Sequence, residues 1–116
     1  PLKIDIMEKF ALLFRGGLNS PSPEIMQKHM QKWLDWVDRL SKEGKYLTGE
    51  PLIPGGKWVA GKNKSVTDGP FTEAKDIMGG FFILKVADMD EAVRIAKDCP
   101  DLEFNGTVEV RKVADM

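Results

Sequence analysis

The chain has one cysteine and one histidine among its 116 residues. A lone Cys99 excludes an internal disulfide framework and any zinc site built from several cysteines. A lone His29 excludes a histidine-rich metal centre, so neither a metal nor another cofactor is expected. Charge of one sign is also missing: 17 Lys+Arg stand against 18 Asp+Glu, a net charge of -1. A dedicated nucleic-acid binder needs a basic surplus to neutralise phosphates, so direct nucleic-acid binding is not expected. The longest apolar runs, such as Phe81 to Leu84, fall far short of the ~20 residues of a membrane helix. No basic start, apolar stretch and cleavage site follow one another as in a secretory signal, so a reducing cytoplasm is the expected location.

What is present suits one globular domain. The chain is 42% hydrophobic and 30% charged, which can close a core without the charge excess of a disordered chain. Lys9 to Arg15 is a short apolar run stopped by Gly16-Gly17, which predicts a buried strand. Ser22-Pro23 predicts a helix start, with a capping oxygen followed by a residue that needs no amide hydrogen. The helix is expected to reach Glu43 and stop at Gly44. Its apolar stripe is expected at Met26, Met30, Trp33, Val37 and Leu40, with Ile25, His29 and Trp36 on one flank.

Extended segments follow at Lys45 to Leu52, Lys57 to Ala60 and Ser65 to Thr67, divided by Gly55-Gly56 and a turn at Gly61 to Lys64. Asp68-Gly69-Pro70-Phe71 is turn chemistry. Gly79 to Val86 predicts the most apolar strand. Asp88 with Glu91 three residues on predicts a capping box opening a second helix, ended by Pro100. Thr107 to Val113 predicts a half-exposed last strand. The order strand, helix, strands, strand, helix, strand is the split βαβ pattern of an α+β, ferredoxin-like domain with an antiparallel sheet. Both helices then lie on one sheet face. The other face needs a cover, most simply a second copy in a homodimer burying ~800 Å² per chain. The domain is expected over residues 10–113, with an N-terminal extension 1–9 and a tail 114–116.

Several residues invite a chemical reading. Gly56 to Gly61 with Lys62 resembles a P-loop, but Asn63 replaces the magnesium-binding hydroxyl and no helix follows, so a hairpin is expected and no nucleotide. Pro1 carries an amine that could act as a base, on an extension with nothing to anchor it. His29 is the one side chain of the type suited to proton transfer near neutral pH, a candidate general base if a carboxylate faces it; nothing local in sequence does. Trp33 and Trp36 suit a core, an interface or the wall of a pocket. Asp68 suits either an acid-base role or a turn in which its carboxylate accepts backbone amides. Phe71, Glu73 and Lys75 follow it as ligand-binding candidates. Glu109 and Arg111 share one strand face and form a surface pair or line a cleft. Cys99, at a helix C-terminus, is expected to be a buried apolar residue rather than a nucleophile.

Val66-Thr67-Asp68-Gly69-Pro70-Phe71, followed by Glu73, Lys75 and Gly79-Gly80, resembles the YCII-related family, and in it the branch named for the Asp-Gly-Pro-Phe motif. Phe10 to Phe14, Trp33, Trp36, Gly49-Glu50-Pro51-Leu52, Asp90-Glu91-Ala92, Cys99-Pro100 and Val108-Glu109-Val110-Arg111 support it. The resemblance implies a ferredoxin-like fold that pairs into a dimeric α+β barrel. It implies a small-molecule pocket and, from a histidine and an aspartate of the wider family, an enzyme similar to small ring-processing lyases or isomerases. It also implies the alternative of a non-catalytic module near transcription initiation, because this branch occurs joined to sigma-factor domains. Counted eleven residues back from Gly44, the wider family's histidine position falls on Trp33; His29 lies one turn earlier. Asp68 or His29 is then the expected base, with Lys75 or Arg111 holding an anion.

Overall fold

The computed structural model describes residues 6–69 and 73–116. Pro1 and Phe71 lie outside them. Strand β1, Glu8–Arg15, opens the domain. Helix α1 covers Pro23–Lys42, where the Ser22 side chain accepts the Ile25 amide and the chain leaves through Glu43 and a left-handed Gly44 at φ 73°. Strands β2 (Tyr46–Pro51), β3 (Lys57–Ala60), β4 (Ser65–Asp68) and β5 (Met78–Val86) follow, with a 3₁₀ turn at Ala74–Asp76 between the last two. Helix α2, Met89–Ala96, is capped by Asp88, whose side chain accepts the Glu91 amide. Strand β6 covers Thr107–Lys112.

The main sheet has the order β2-β5-β1-β6, and every neighbouring pair is antiparallel. Two strands that are not consecutive therefore lie at the centre, as the split βαβ pattern demands. The expected α+β ferredoxin-like architecture is the one observed. β3 and β4 do not join this sheet. They pair with each other as a separate ribbon.

The core follows from alternation. Phe10, Leu12 and Phe14 of β1, and Phe82, Leu84 and Val86 of β5, turn one way into the layer under the helices. Trp36 and Leu40 of α1, Ala92, Ile95 and Ala96 of α2, and Cys99 close over them. The buried line of α1 differs from the expected stripe. His29, Trp36 and Leu40 are buried, whereas Met30 is half exposed. The helix is rolled toward its His29 flank because the Trp36 indole fills the space above Phe14 and Phe82, 6.0 and 5.1 Å between ring centres. The second departure is at Pro100. Helix α2 already ends at Ala96, and Pro100 instead starts a 3₁₀ turn, Pro100–Phe104.

Candidate functional site

Helix α1 places His29 and Trp33 one turn apart at the end of the sheet where β1 finishes. The 3₁₀ turn that begins at Pro100 brings Asp101 to the same place. The Asp101 carboxylate bonds to His29 Nε2 and accepts the Leu18 amide at 3.2 Å. His29 is 7% exposed and Asp101 17%. His29 thus has a carboxylate partner, contributed from 72 residues further along the chain and not visible to local reading.

Two glycines make room for this aspartate. Gly17 has φ +106°, and a Cβ on it would fall inside the Asp101 carboxylate. Gly106 donates its amide to the Asp101 carbonyl at 2.9 Å, and a Cβ there would stand 2.8 Å from that oxygen. Asp101 is therefore held by backbone on two sides.

The proton arrangement follows from valence. His29 Nε2 also lies 3.3 Å from the Trp33 indole nitrogen. One ring nitrogen carries either a hydrogen or a lone pair, and it cannot donate to Asp101 and accept from Trp33 together. A carboxylate facing a lone pair is repulsive, so the consistent state has Nε2–H donating to Asp101. In the neutral ring Nδ1 then keeps the lone pair, and it makes no hydrogen bond among the described residues. Phe104 packs edge-on against the imidazole at 5.3 Å, and Phe14 against Trp33 at 4.9 Å, fixing both rings.

The other sequence candidates are distributed by the sheet. Asp68 is the last residue of β4, in register with Lys57. Its carboxylate is bonded to Lys57 Nζ at 2.5 Å, and the side chain is 90% exposed. The structure pairs it across the ribbon and gives the histidine to Asp101. Glu73 and Lys75 form an exposed ion pair at 3.5 Å. The Lys75 backbone packs on Gly16, so this segment shares the His29 end of the sheet. Glu109 and Arg111 lie on the opposite face. Phe14 turns inward toward Trp33, so Leu13 turns outward, and Leu13 is the register partner of Glu109. Glu109 accepts from Arg15 at 2.8 Å and from Arg111 at 3.4 Å. The Arg15 bond, with lesser help from Arg111, holds its carboxyl below the usual range. The anion holder expected among Lys75 and Arg111 can share the His29 end only as Lys75.

Cys99 is buried, and burial pushes its thiol up to about 11, the inert behaviour expected of it. Among the described residues, no three His, Cys, Asp or Glu side chains converge to hold a metal ion. Beside the pair, an open groove of about 520 Å³ runs between α1 and the chain after α2. Trp36 and Cys99 lie in it, and the ion pairs Lys32–Glu103 and Arg39–Asp98 cross it at 3.7 and 3.1 Å.

A two-layer α+β domain with a buried histidine–carboxylate pair at one end of its sheet is the class these features define. The chain belongs to the YCII-related family, whose domain matches residues 9–116. An uncharacterised protein of Rhizobium meliloti (strain 1021) is 40% identical over 50 residues. That match takes in 42% of this chain and 40% of the relative, so it spans well under half of the relative's length. Among solved structures, 5-chloro-2-hydroxyhydroquinone dehydrochlorinase from Burkholderia phenoliruptrix, in complex with 2,5-dihydroxybenzoquinone, superposes with a TM-score of 0.51. The superposition covers 90% of this chain and 93% of that one at 18% identity, and shows a shared fold.

Proposed function

We propose that this protein is a cofactor-free acid-base enzyme acting on a small organic molecule, of the lyase or isomerase kind. The observation that carries the reading is the bond between buried His29 and Asp101. A carboxylate on Nε2–H holds the imidazole in one tautomer and stabilises the imidazolium that forms when Nδ1 takes a proton. In an elimination, Nδ1 removes a proton from the substrate and the leaving group departs with its bonding electrons. The imidazolium then returns the proton to water. Lys75, whose backbone lies against Gly16, is our candidate for holding an anionic oxygen, in exchange for its ion pair with Glu73. The fold neighbour is a dehydrochlorinase by its description, which favours hydroxylated ring compounds as first substrates. We read the Asp68-Gly69-Pro70-Phe71 motif as favouring the Asp-Gly-Pro-Phe branch of the family.

The test uses 5-chloro-2-hydroxyhydroquinone and follows chloride release. Turnover is expected in the unaltered protein, with a fall of about 10²–10⁴-fold in His29→Gln and a comparable fall in Asp101→Asn. Equal rates in the protein and in His29→Gln overturn the role of the pair. One observation favours a second reading, a ligand-binding module without turnover: the groove of about 520 Å³ is lined by Trp36 and Cys99 but not by His29. Saturable binding that His29→Gln leaves intact, with no product formed, would establish it.

A further inference from the structure

The chain has three tryptophans, Trp33, Trp36 and Trp58. An indole carries one donor and no acceptor, and the place of that N–H separates the three. Trp58 stands on the exposed β3–β4 ribbon, open to solvent. Trp36 is buried among Phe14, Phe82 and Trp33, and its Nε1 is closed off without a partner. A ligand does not reach that atom. Trp33 is half-buried, and its N–H is directed at His29 Nε2 across 3.3 Å.

The target of that N–H has no lone pair to give. In the neutral ring Nε2–H donates to Asp101. The imidazolium formed when Nδ1 takes a proton carries a hydrogen on Nε2 as well. The Trp33 hydrogen therefore meets another hydrogen in both states of the pair, and the described residues offer it no other acceptor. A half-buried donor left without an acceptor costs free energy, which an oxygen brought in by a ligand recovers.

The donor is fixed before anything binds. Phe14, Trp36 and Phe82 hold the Trp33 ring edge-on at 4.9, 5.4 and 5.8 Å between ring centres. These contacts leave the indole small rotations, enough to turn its hydrogen from Nε2 to an oxygen lying beside it, as site bonds tighten on binding. A positioned neutral donor next to the base stabilises charge that develops as the proton leaves. Lys75 differs on both counts, because its side chain is 68% exposed and already paired with Glu73. It suits a group that is anionic throughout the reaction.

We propose that the Trp33 indole N–H is the oxyanion donor of the site. The substrate then carries a carbonyl oxygen, or a ring hydroxyl in its keto form, on the carbon next to the one that loses its proton. This assignment rests on the acid-base reading of His29 and Asp101. One ring carbon separates Nδ1 from Nε2, so a base at Nδ1 and a donor beside Nε2 address neighbouring atoms of one small molecule. Nδ1 takes the proton. The C–H electron pair becomes the carbon–carbon double bond of an enolate, and the carbonyl π pair moves onto the oxygen, which accepts the Trp33 hydrogen. When that pair returns to the carbonyl, the enolate π pair forms a double bond to the next carbon. The leaving group on that carbon departs with its own bonding electrons.

Two variants remove the donor: Trp33→Phe, and a replacement of the same indole by 3-benzothienylalanine, which puts sulfur in place of N–H and keeps the two-ring shape for packing. The first readout is binding of ionised 4-nitrophenol, a planar ring whose charged oxygen resembles that of an enolate. The Trp33 indole ¹H–¹⁵N signal, assigned by its loss in both variants, is expected to move downfield on titration while those of Trp36 and Trp58 stay. Both variants should bind about 10-fold more weakly or worse. The second readout is chloride release from 5-chloro-2-hydroxyhydroquinone. There kcat should fall about 10²–10³-fold in both variants with KM changing far less, and the His29 ring ¹⁵N shifts should stay those of the parent. A Trp33 signal unmoved up to millimolar phenolate, or a benzothienyl variant with the parent's affinity, overturns the donor. Chloride release that is absent, or equal in His29→Gln, overturns the acid-base reading instead, and the indole titration then decides the donor alone.

Discussion

Gly17 shows how much of the site depends on one missing side chain. Its φ of +106° lies where L side chains are strained, and the space its Cβ would need is taken by the Asp101 carboxylate. The next residue donates its amide to that carboxylate. Gly17→Ala is therefore expected to displace Asp101 and free the imidazole. The backbone strain should cost about 1–3 kcal/mol of stability. Because His29 is the only histidine, ring ¹⁵N shifts read the pair without assignment. At a pH where the ring is neutral, the parent should show a protonated Nε2 and a bare Nδ1, and the variant a mixture of tautomers. A Gly17→Ala protein with the parent's ring shifts would show that Asp101 does not need this approach.

At the scale of elements, the two helices are fixed by caps legible in the chain. The box on α2 is the more complete. Asp88 accepts the Glu91 amide at 2.9 Å, and the Glu91 carboxylate accepts the Ala87 amide at 2.9 Å. That amide bond, then Lys45 at 3.1 Å, holds the Glu91 carboxyl below its ordinary value. A carboxyl depressed in the folded state stabilises the fold above its unfolded pKa, and the stabilisation fades as pH falls through the folded value. Glu91→Gln should thus cost about 0.5–1 kcal/mol near neutrality. The gap to the parent should close as pH drops below the usual carboxylate range. Paired thermal melts across that range check it, and a gap that widens in acid would contradict the assignment.

The whole molecule has one core, shared by both helices and the two central strands. Leu84 sits fully buried at its middle, opposite Phe10 on β1 and Tyr46 on β2. Leu84→Ala removes contacts to both neighbouring strands at once and leaves a cavity that a two-layer domain cannot close from one side. The expected loss is about 2–5 kcal/mol in a single cooperative transition, measured by urea unfolding. Separate transitions for sheet and helices would deny the single core. The same thinness that gives one core leaves one sheet face and the ribbon uncovered among the described residues.

The sequence by itself determined the elements and their order. Alternation in Phe10 to Phe14 and Phe81 to Val86, Ser22-Pro23 before α1 and Asp88 with Glu91 before α2 are local signals, and local signals set strands, helix starts and turns. They also carried the ferredoxin-like pattern, because hydrophobic faces and short connections leave few ways to arrange these pieces. The burial of Cys99 was legible for the same reason. What only the tertiary structure decided is which side chains meet. The roll of α1 that buries His29 and exposes Met30 depends on Trp36 packing over Phe14 and Phe82, on strands far away in the chain. Asp101 follows Cys99-Pro100, a sign of a new short turn, but nothing periodic links it to His29. Their meeting needs β1 to end at Gly16-Gly17 beside the turn after α2. The sheet likewise separates Glu109 and Arg111 from His29, since adjacent residues of a strand face opposite sides and only the packed fold tells which side holds the helices.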